Sequence, residues 1–252
     1  MKAYTFGLIG KRLQHSYSPR YFTERFEKEN LPHKYLPFEI ETVDELPNLI
    51  QNTPSLGGLN VTAPYKQAVI PFLQETDEAA AAVGAVNTIV VRSDGTLSGF
   101  NTDIDGFVRL IRTIYRAIVP PAVILGTGGS AKAIGYVLTK YYRQRDFYYV
   151  SRNPKNPDEI GYGDLSETLL KHRRLVVNAT PVGMYPNVDD CPPIPFEFLT
   201  PKHGVIDLIY NPEETVMLRK AREIGCKTAN GLEMLYAQAD LAWETWQFAH
   251  GL

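Results

Sequence analysis

The sequence predicts an α/β protein with two domains. Short apolar segments alternate with segments of helical periodicity through all 252 residues, as in sheets whose parallel strands are joined by helices. The pattern changes after residue 102, where the amphipathic segment DIDGFVRLIRTIYR precedes a new series of apolar strands. The chain is long enough for two modest domains. We therefore expect one domain formed by residues 1–102 and 232–252 and a second formed by residues 103–231.

The first domain is expected to contain a mostly parallel sheet with a small antiparallel edge. The predicted strands are TFGLIG, YLPFEI and LGGLNVT, and the predicted helices are SPRYFTERFEKEN, ELPNLIQN and YKQAVIPFL. AVNTIVVR and LSGFNT flank SDGT, in which Asp94-Gly95 is a strong hairpin signal. GLEMLYAQADLAWETWQFA predicts a long helix that begins just past Gly231 and returns the chain to this domain.

The second domain is predicted to bind a dinucleotide. AVIL is a continuous apolar run, as in a strand buried on both faces, and Gly126-x-Gly128-x-x-Ala131 follows it at the start of a helix. The glycines allow a tight turn and a close approach of a pyrophosphate, and the helix N-terminus offers N–H groups to it. This context favours a dinucleotide site over a purely structural glycine turn.

The residues after the next strand indicate which dinucleotide is bound. FYYVSR ends in Ser151-Arg152, and Lys155 follows, so a guanidinium stands where NAD-binding proteins place a carboxylate. Arginine binds a 2′-phosphate through two hydrogen bonds, whereas a carboxylate would repel it. We therefore expect NADP(H) rather than NAD, the alternative being that Arg152 is a solvated loop residue.

Polar clusters mark three predicted strand or helix ends of the first domain, where open α/β sheets bind ligands. In SYSP at 16–19, Ser18 is expected to cap a helix that has Pro19 at its first position, and the two hydroxyls suit a carboxylate. The other clusters are NVTAPYK at 60–66 and the pair AVNT and NTD, which ends at Asp103. Taken alone, Lys66 could be a solvated surface lysine and Asp103 could be a helix cap.

Composition argues against several classes of function. The chain has 26 basic and 28 acidic residues, a formal charge of −2, and so no field to hold nucleic acid or an anionic membrane. Cys191 and Cys226 match no metal spacing and no disulfide framework, which suits a reducing cytoplasm. The apolar run of MKAYTFGLIGKRLQ is too short for a secretory signal, and no segment approaches a membrane span. We expect a cytoplasmic monomer or homodimer without a metal.

The chain resembles the shikimate dehydrogenase family along essentially its whole length. The motifs that carry the resemblance are SYS at 16–18, NVTAPYK at 60–66, GAVNT at 84–88, NTDIDG at 101–106, GTGGSA at 126–131, NATPVGM at 178–184, DLIYNP at 207–212 and GLEMLYAQA at 231–239. The resemblance implies a substrate domain, a Rossmann-type NADP-binding domain and a cleft between them. It also implies reversible reduction of 3-dehydroshikimate to shikimate on the route to chorismate and aromatic amino acids.

The resemblance further implies roles for individual residues. Lys66 would be catalytic and paired with Asp103. The residues implied to bind the substrate are Ser16, Ser18, Asn60, Thr62, Asn87, Tyr210 and Gln238. The cofactor residues expected from the glycine turn and the phosphate-reading loop are Gly126, Gly128, Gly129, Ser130, Ala131, Ser151, Arg152 and Lys155, and the resemblance adds Thr180, Met184, Ile209, Gly231 and Met234.

Some features leave alternatives open. Without the resemblance, Gln238 could be a solvent-facing helix residue and Tyr210 a half-buried aromatic at a strand end. The family usually has asparagine-arginine-threonine where this chain has Ser151-Arg152-Asn153, so the hydrogen bonds around the phosphate could differ. Asp207, the charge in an apolar strand, is expected to have a structural hydrogen-bonding role. The rival functions are a quinate/shikimate dehydrogenase of broader specificity and a non-catalytic dinucleotide-binding regulator.

Overall fold

The computed structural model describes residues 2–14 and 16–252, and His15, to which the sequence assigns no role, lies outside them. The chain forms two compact units. Unit 1 consists of Met1–Thr102 and Ala239–Leu252, and unit 2 consists of Asp103–Gln238. Each unit has its own sheet, and one of the two sheets is entirely parallel, so the predicted α/β fold class is confirmed.

The sheet of unit 1 has six strands and is mixed. The strands are β1 (Thr5–Gly10), β2 (Lys34–Glu39), β3 (Leu56–Val61), β4 (Glu75–Thr76), β5 (Thr88–Val91) and β6 (Leu97–Phe100). Their order is β2-β1-β3-β5-β6-β4, with β1 parallel to β2 and β3, and β5 antiparallel to β3 and β6. The hairpin predicted at Asp94-Gly95 joins β5 to β6, and Gly95 adopts the left-handed φ of +86°.

Three helices of unit 1 precede the chain's passage into unit 2. They are α1 (Ser18–Lys28), α2 (Leu46–Asn52) and α3 (Glu78–Val83). The alanine run that forms α3 was not predicted to be helical. It begins where Asp77 accepts a hydrogen bond from the Ala80 N–H at 2.8 Å, and it ends at Gly84, which has a φ of +65°.

The helix predicted over YKQAVIPFL is not formed. The Val69 N–H donates to the Tyr65 carbonyl at 3.0 Å, but the chain continues as a short 3₁₀ turn, Ile70–Phe72. Pro71 has no N–H to extend a helix, and proline crowds the preceding turn. The β-branched residues before it also have low helix propensity. The segment therefore forms only short turns, although its apolar residues have helical periodicity.

Unit 2 is a doubly wound parallel sheet. Its strands are β7 (Ala122–Leu125), β8 (Phe147–Val150), β9 (Glu159–Ile160), β10 (Leu175–Asn178), β11 (Gly204–Asp207) and β12 (Lys227–Ala229). Its helices are α4 (Asp103–Arg112), α5 (Gly129–Tyr141), α6 (Glu167–His172) and α7 (Val216–Glu223), and α8 (Leu232–His250) follows. The strand order is β12-β11-β10-β7-β8-β9. The winding direction reverses between β7 and β10, which is where such sheets bind ligands.

The C-terminal part of α8 supplies two tryptophans to the core of unit 1. Trp246 stacks on Phe6 with ring centroids 4.7 Å apart and donates its Nε1–H to the Ile89 carbonyl at 3.0 Å. Trp243 meets Phe6 edge-on at 5.6 Å. A Cβ added at Gly58 would lie 2.1 Å from Trp246 Nε1. Glycine is therefore needed at that point of β3 for the indole to reach the sheet.

None of the helices among the described residues has both the length and the apolar character needed to cross a membrane. Over the same residues, no group of three or more His, Cys, Asp and Glu side chains is arranged to hold a metal ion.

Candidate active site

Several residues predicted to bind the substrate lie side by side at one edge of the unit 1 sheet. Asn60, near the end of β3, is opposite Thr88, the first residue of β5. Thr88 is in turn opposite Phe100 at the end of β6, so the segment Asn101–Thr102 follows at the same edge. The structure thus brings together Asn60, Asn87 and the first two residues of the NTD motif, Asn101 and Thr102.

A buried hydrogen-bond network joins these residues. Asn87 Oδ1 accepts from the Thr102 N–H at 2.8 Å, and Asn87 Nδ2 donates to Thr102 Oγ1 at 3.0 Å. Asn60 Nδ2 donates to Thr88 Oγ1 at 3.2 Å and faces the Asn87 carbonyl at 3.4 Å. Asn60 is 4% exposed and Asn87 is 2% exposed. Buried amides need their partners, so these bonds fix the orientation of both side chains.

Thr88 and Thr102 are functional candidates that the sequence reasoning missed. Both are buried and both bond the predicted asparagines. The signal was present, because the dipeptide Asn-Thr occurs at 87–88 and again at 101–102. Only the antiparallel pairing of β5 with β6 reveals that the two copies face each other.

Thr62 and Lys66 lie in the loop after β3, which is tied to the same edge. The Thr62 N–H donates to the Ile9 carbonyl at 3.0 Å, and the Lys66 carbonyl accepts from the Val86 N–H at 2.7 Å. Val86 directly precedes Asn87. Lys66 is half-buried. The backbone that carries the predicted catalytic lysine is therefore held beside the asparagine network.

The expected capping role of Ser18 is wrong. The helix α1 begins at Ser18, its N-cap position is Tyr17, and no side chain caps it. The Ser18 side chain instead hydrogen-bonds to the hydroxyl of Tyr35 on β2, and that hydroxyl donates to Asn60 Oδ1 at 2.7 Å. Ser16 precedes the helix, and its N–H donates to the Leu13 carbonyl at 2.9 Å. Like Thr88 and Thr102, Tyr35 is a residue of this site that the sequence did not reveal.

The predicted glycine turn of unit 2 has the form that a pyrophosphate site requires. Gly126 follows β7 with a φ of +103°, and a Cβ there would lie 3.1 Å from Thr180 Cγ2. Gly128 is the N-cap of α5, and a Cβ there would meet no atom within 4 Å. Gly129 and Ser130 begin the helix, and Ala131 is fully buried against the sheet. The space beside the N-cap of α5 is thus open, and at the N-terminus of a helix the dipole and the first N–H groups favour an anion.

A buried carboxylate organises the neighbouring strand ends β10 and β11. Asp207 Oδ1 accepts from Asn178 Nδ2 at 3.0 Å and from the Ile209 N–H at 3.1 Å, while Oδ2 accepts from Thr215 Oγ1 at 2.7 Å. Asn178 Oδ1 accepts both the Thr180 N–H, at 3.0 Å, and the Thr180 hydroxyl, at 2.6 Å. Asp207 therefore has the structural role that the sequence suggested, and it connects to the predicted cofactor residues Thr180 and Ile209.

Burial raises the pKa of the Asp207 carboxyl from its ordinary 3.8 to about 6, against the hydrogen bonds from Thr215, Ile209 and Asn178, which lower it. The raised pKa shows that desolvation of the charged form outweighs its three donors. Asn178 and Thr215 were not predicted from the sequence, although both are polar residues at the ends of apolar segments.

The loop predicted to read the phosphate is exposed. Ser151 and Arg152 follow β8 directly, and Ser151 Oγ accepts from the Asn153 N–H at 3.2 Å. Burial raises the pKa of Tyr162, and the nearby Arg152 guanidinium lowers it. The Lys155 N–H donates to Glu159 Oε2 at 2.8 Å. The guanidinium and the Lys155 side chain are therefore on the surface of unit 2, accessible to a phosphate.

The remaining predicted residues of unit 2 come from three segments. Met184 is 45% exposed, Tyr210 is half-buried and Met234 is buried. The Tyr185 N–H donates to the Asn211 carbonyl at 3.1 Å, which joins the NATPVGM and DLIYNP segments. Gly231 is required because a Cβ there would lie 1.9 Å from the Leu208 carbonyl oxygen.

Asp103 and Gln238 lie on two helices of unit 2 that approach closely. Asp103 is the buried first residue of α4. One turn later, a Cβ on Gly106 would lie 3.0 Å from the Met234 carbonyl oxygen and 3.4 Å from Gln238 Cβ. Gln238 is half-buried, and its Nε2 donates to the Leu235 carbonyl at 2.9 Å. Lys66 belongs to unit 1, and its pairing with Asp103 stays a prediction.

Comparison with known proteins gives a consistent result. A family model described as the shikimate dehydrogenase substrate binding domain matches residues 8–89. A protein of Desulforamulus reducens named shikimate dehydrogenase (NADP(+)) is 41% identical over an alignment of 260 positions, which covers 95% of this chain and 88% of the relative.

Solved structures share the fold over nearly the whole chain. Shikimate dehydrogenase from Thermus thermophilus, in complex with NADP(H) and shikimate, has a TM-score of 0.83 and 29% identity, and the match covers 99% of this chain and 94% of that one. Quinate dehydrogenase from Corynebacterium glutamicum, in complex with NAD, also has a TM-score of 0.83 and 29% identity. The match again covers 99% of this chain and 94% of that one.

The Asp207 carboxyl predicts a pH dependence of stability. Its folded-state pKa of about 6 is above the ordinary 3.8, so the folded state binds the proton more tightly. The resulting stabilisation is complete below about pH 4 and is lost as the pH rises through 6, an effect of about 3 kcal/mol for a shift of about two units. Relative to Asp207→Asn, wild type should therefore lose stability over this range, as measured by urea unfolding at a series of pH values.

The control is Asp189→Asn, which removes an exposed carboxylate of unit 2. It should retain the wild-type pH profile. If the difference between wild type and Asp207→Asn is the same at all pH values, the carboxyl is not held protonated by burial.

Proposed function

This chain belongs to the shikimate dehydrogenase family, and we propose that it is an NADP-dependent shikimate dehydrogenase, which transfers a hydride reversibly between NADPH and 3-dehydroshikimate. The observation that carries the proposal is the buried Asn60–Asn87–Thr102 network at one sheet edge, with the Lys66 backbone bonded beside it. Such a network presents fixed polar groups to a small polyhydroxylated ligand. Asn60 and Asn87 lie within residues 8–89, the substrate-binding match, which supports this use.

The residues of unit 2 fit a phosphorylated dinucleotide. The open position at Gly128 leaves room for a pyrophosphate at the N-terminus of α5. At the end of β8 stands the exposed Arg152, where NAD-binding proteins place an acidic residue. These features support NADP(H) as the coenzyme, and the name of the Desulforamulus reducens relative agrees.

In the proposed mechanism, the proton that the ketone oxygen gains comes from a side chain of this protein. When bound, NADPH supplies the hydride to the ketone carbon. Negative charge then develops on the ketone oxygen, and the Lys66 ammonium stabilises that charge and donates a proton to it. Asp103 orients the ammonium through a charge-assisted hydrogen bond. Ser16 and Ser18 bind the substrate carboxylate, and the ring hydroxyls are surrounded by Asn60, Thr62, Asn87 and Asp103. Gln238 also reaches the substrate, and Tyr210 lies nearby.

A quinate/shikimate dehydrogenase is the second candidate, because the quinate dehydrogenase of Corynebacterium glutamicum shares the fold equally well. Arg152 and the two plain serines support shikimate and NADP over that alternative. Lys66 and Asp103 argue against a regulator without catalytic activity. We place the enzyme in the cytoplasm, because Cys191 and Cys226 are free thiols. We also propose that it is a monomer or homodimer.

The direct test is an absorbance assay with purified protein. Shikimate and NADP should produce the near-ultraviolet absorbance of reduced nicotinamide, and quinate with NAD should produce it much more slowly. Efficient oxidation of quinate would favour the second candidate. Absence of any reduction with either pair would overturn the enzymatic proposal.

Lys66→Ala should reduce kcat by about 10² to 10⁴, the usual contribution of a positioned acid. Shikimate affinity should change far less, because the ammonium acts mainly on the charge that forms during hydride transfer. Steady-state kinetics with shikimate and NADP separate the two effects. The control is Lys28→Ala, which removes an exposed lysine of α1. Normal turnover in Lys66→Ala would refute the assignment.

Arg152→Asp should shift coenzyme preference from NADP towards NAD, since the new carboxylate repels the 2′-phosphate and accepts hydrogen bonds from a free ribose. The measurement is the ratio of kcat/KM for the two coenzymes. Arg145→Asp is a matched charge reversal, because Arg145 is exposed just before β8, at the opposite end of the same strand. Its ratio should stay that of wild type. An unchanged ratio in Arg152→Asp would show that this guanidinium does not read the phosphate.

A further inference from the structure

We propose that Tyr35 is a positioning residue that couples the carboxylate-binding end of the substrate site, at Ser18, to the hydroxyl-binding end, at Asn60. The inference rests on the proposed function, because it takes shikimate as the ligand of both ends. Tyr35 itself makes no contact with substrate in this proposal. It acts by holding two side chains that do.

The location of Tyr35 allows it to reach both ends. Tyr35 is opposite Phe6 on β1, and Phe6 is opposite Gly58 on β3. Gly58 and Asn60 are two residues apart, so they face the same side of the sheet. The Tyr35 ring therefore extends across β1 towards Asn60, and it is almost completely buried, at 5% exposure.

Helix α1 covers the same ring. Phe22 stacks on Tyr35 with ring centroids 4.5 Å apart and an interplanar angle of 10°. Ser18 lies one turn before Phe22, and residues four apart share one face of a helix. The stacking of Phe22 on the ring thus places the Ser18 hydroxyl at the phenol oxygen.

The donor in each hydrogen bond of Tyr35 can be assigned, because a phenol has only one hydrogen to donate. Tyr35 donates it to Asn60 Oδ1 at 2.7 Å, so Ser18 is the donor in its own contact with Tyr35. Asn60 Nδ2 is then directed to Thr88 Oγ1 and the Asn87 carbonyl. Burial raises the pKa of Tyr35 well above its ordinary value, which keeps the donated proton in place.

This arrangement has a consequence for binding. In the unliganded site, Tyr35 holds the Ser18 hydroxyl and the Asn60 amide at a fixed separation. A carboxylate is a stronger acceptor than a phenol oxygen, so an arriving substrate takes the Ser18 hydrogen, while the Tyr35–Asn60 bond persists. Without the Tyr35 hydroxyl, Asn60 Oδ1 is buried without this donor, and the amide is held only through the bonds of Nδ2 to Thr88 and the Asn87 carbonyl. The two ends of the site then lose their fixed separation.

The test is Tyr35→Phe, which keeps the ring and its stacking and removes only the hydroxyl. Calorimetric titration of shikimate into the full chain without coenzyme should show about tenfold weaker binding, the effect of one lost buried hydrogen bond. The KM for shikimate should rise in parallel, while kcat and the KM for NADP stay near wild type. Wild-type affinity in Tyr35→Phe would overturn the proposal.

A matched control separates positioning from general destabilisation. Tyr65→Phe also removes a buried phenol hydroxyl of unit 1, which donates to the Ile40 carbonyl at 2.7 Å. Both variants should lower the unfolding midpoint to a similar extent, but only Tyr35→Phe should weaken shikimate binding. Equal loss of affinity in both variants would assign Tyr35 a purely structural role.

A double-mutant cycle tests the route of the effect. In an Asn60→Ala background, Tyr35→Phe should change the shikimate dissociation constant by less than about twofold, because residues in one network are not additive. Additive effects would show that Tyr35 does not act through Asn60. Shikimate binding without turnover in wild type would overturn the proposed function while the Tyr35 comparison still stands, and no binding in wild type would overturn both.

Discussion

Buried amide side chains that must be hydrogen-bonded on both sides determine the geometry of the unit 1 site. Leaving one buried donor or acceptor unpaired costs about 1–3 kcal/mol, so Asn60 and Asn87 can be accommodated only if β3, β5 and the segment after β6 keep one mutual register. Their partners are two threonines, one tyrosine and backbone atoms. The polar groups that suit them to a ligand are thus the same groups that hold the strand ends together.

The requirement that buried polar side chains be hydrogen-bonded also acts in the parallel sheet of unit 2. Asn178 and Asp207 are in register at the ends of β10 and β11 and bond each other directly. Asn178 Oδ1 accepts from the Thr180 N–H and Asp207 Oδ1 accepts from the Ile209 N–H, which orients the segments that begin there. In both units the loops predicted to face the ligand therefore start from a buried polar pair on adjacent strands. Rigid strand ends hold a binding geometry more closely than free loops do.

Sequence patterns predicted most of the fold and of the strand ends at the site, because such patterns are local. The glycine turn, the hairpin at Asp94-Gly95 and the polar strand ends all depend on neighbours within a few residues. Ser18 could not be assigned correctly, since a serine before a proline fits a helix cap equally well, and its actual partner is on β2. Tyr35 was missed for the same reason. In KYLPFE it is one apolar residue of an alternating strand, and its hydroxyl partner Asn60 is 25 residues away.

The division of unit 1 by the chain path has a consequence for synthesis on the ribosome. Trp243 and Trp246 are translated after every residue of unit 2, yet they close the aromatic core around Phe6 and Phe22. The nascent N-terminal sheet therefore emerges with that apolar face uncovered and stays so until the last helix is released. During this interval it is a candidate for chaperone binding and for aggregation, whereas unit 2 has its whole sequence available earlier.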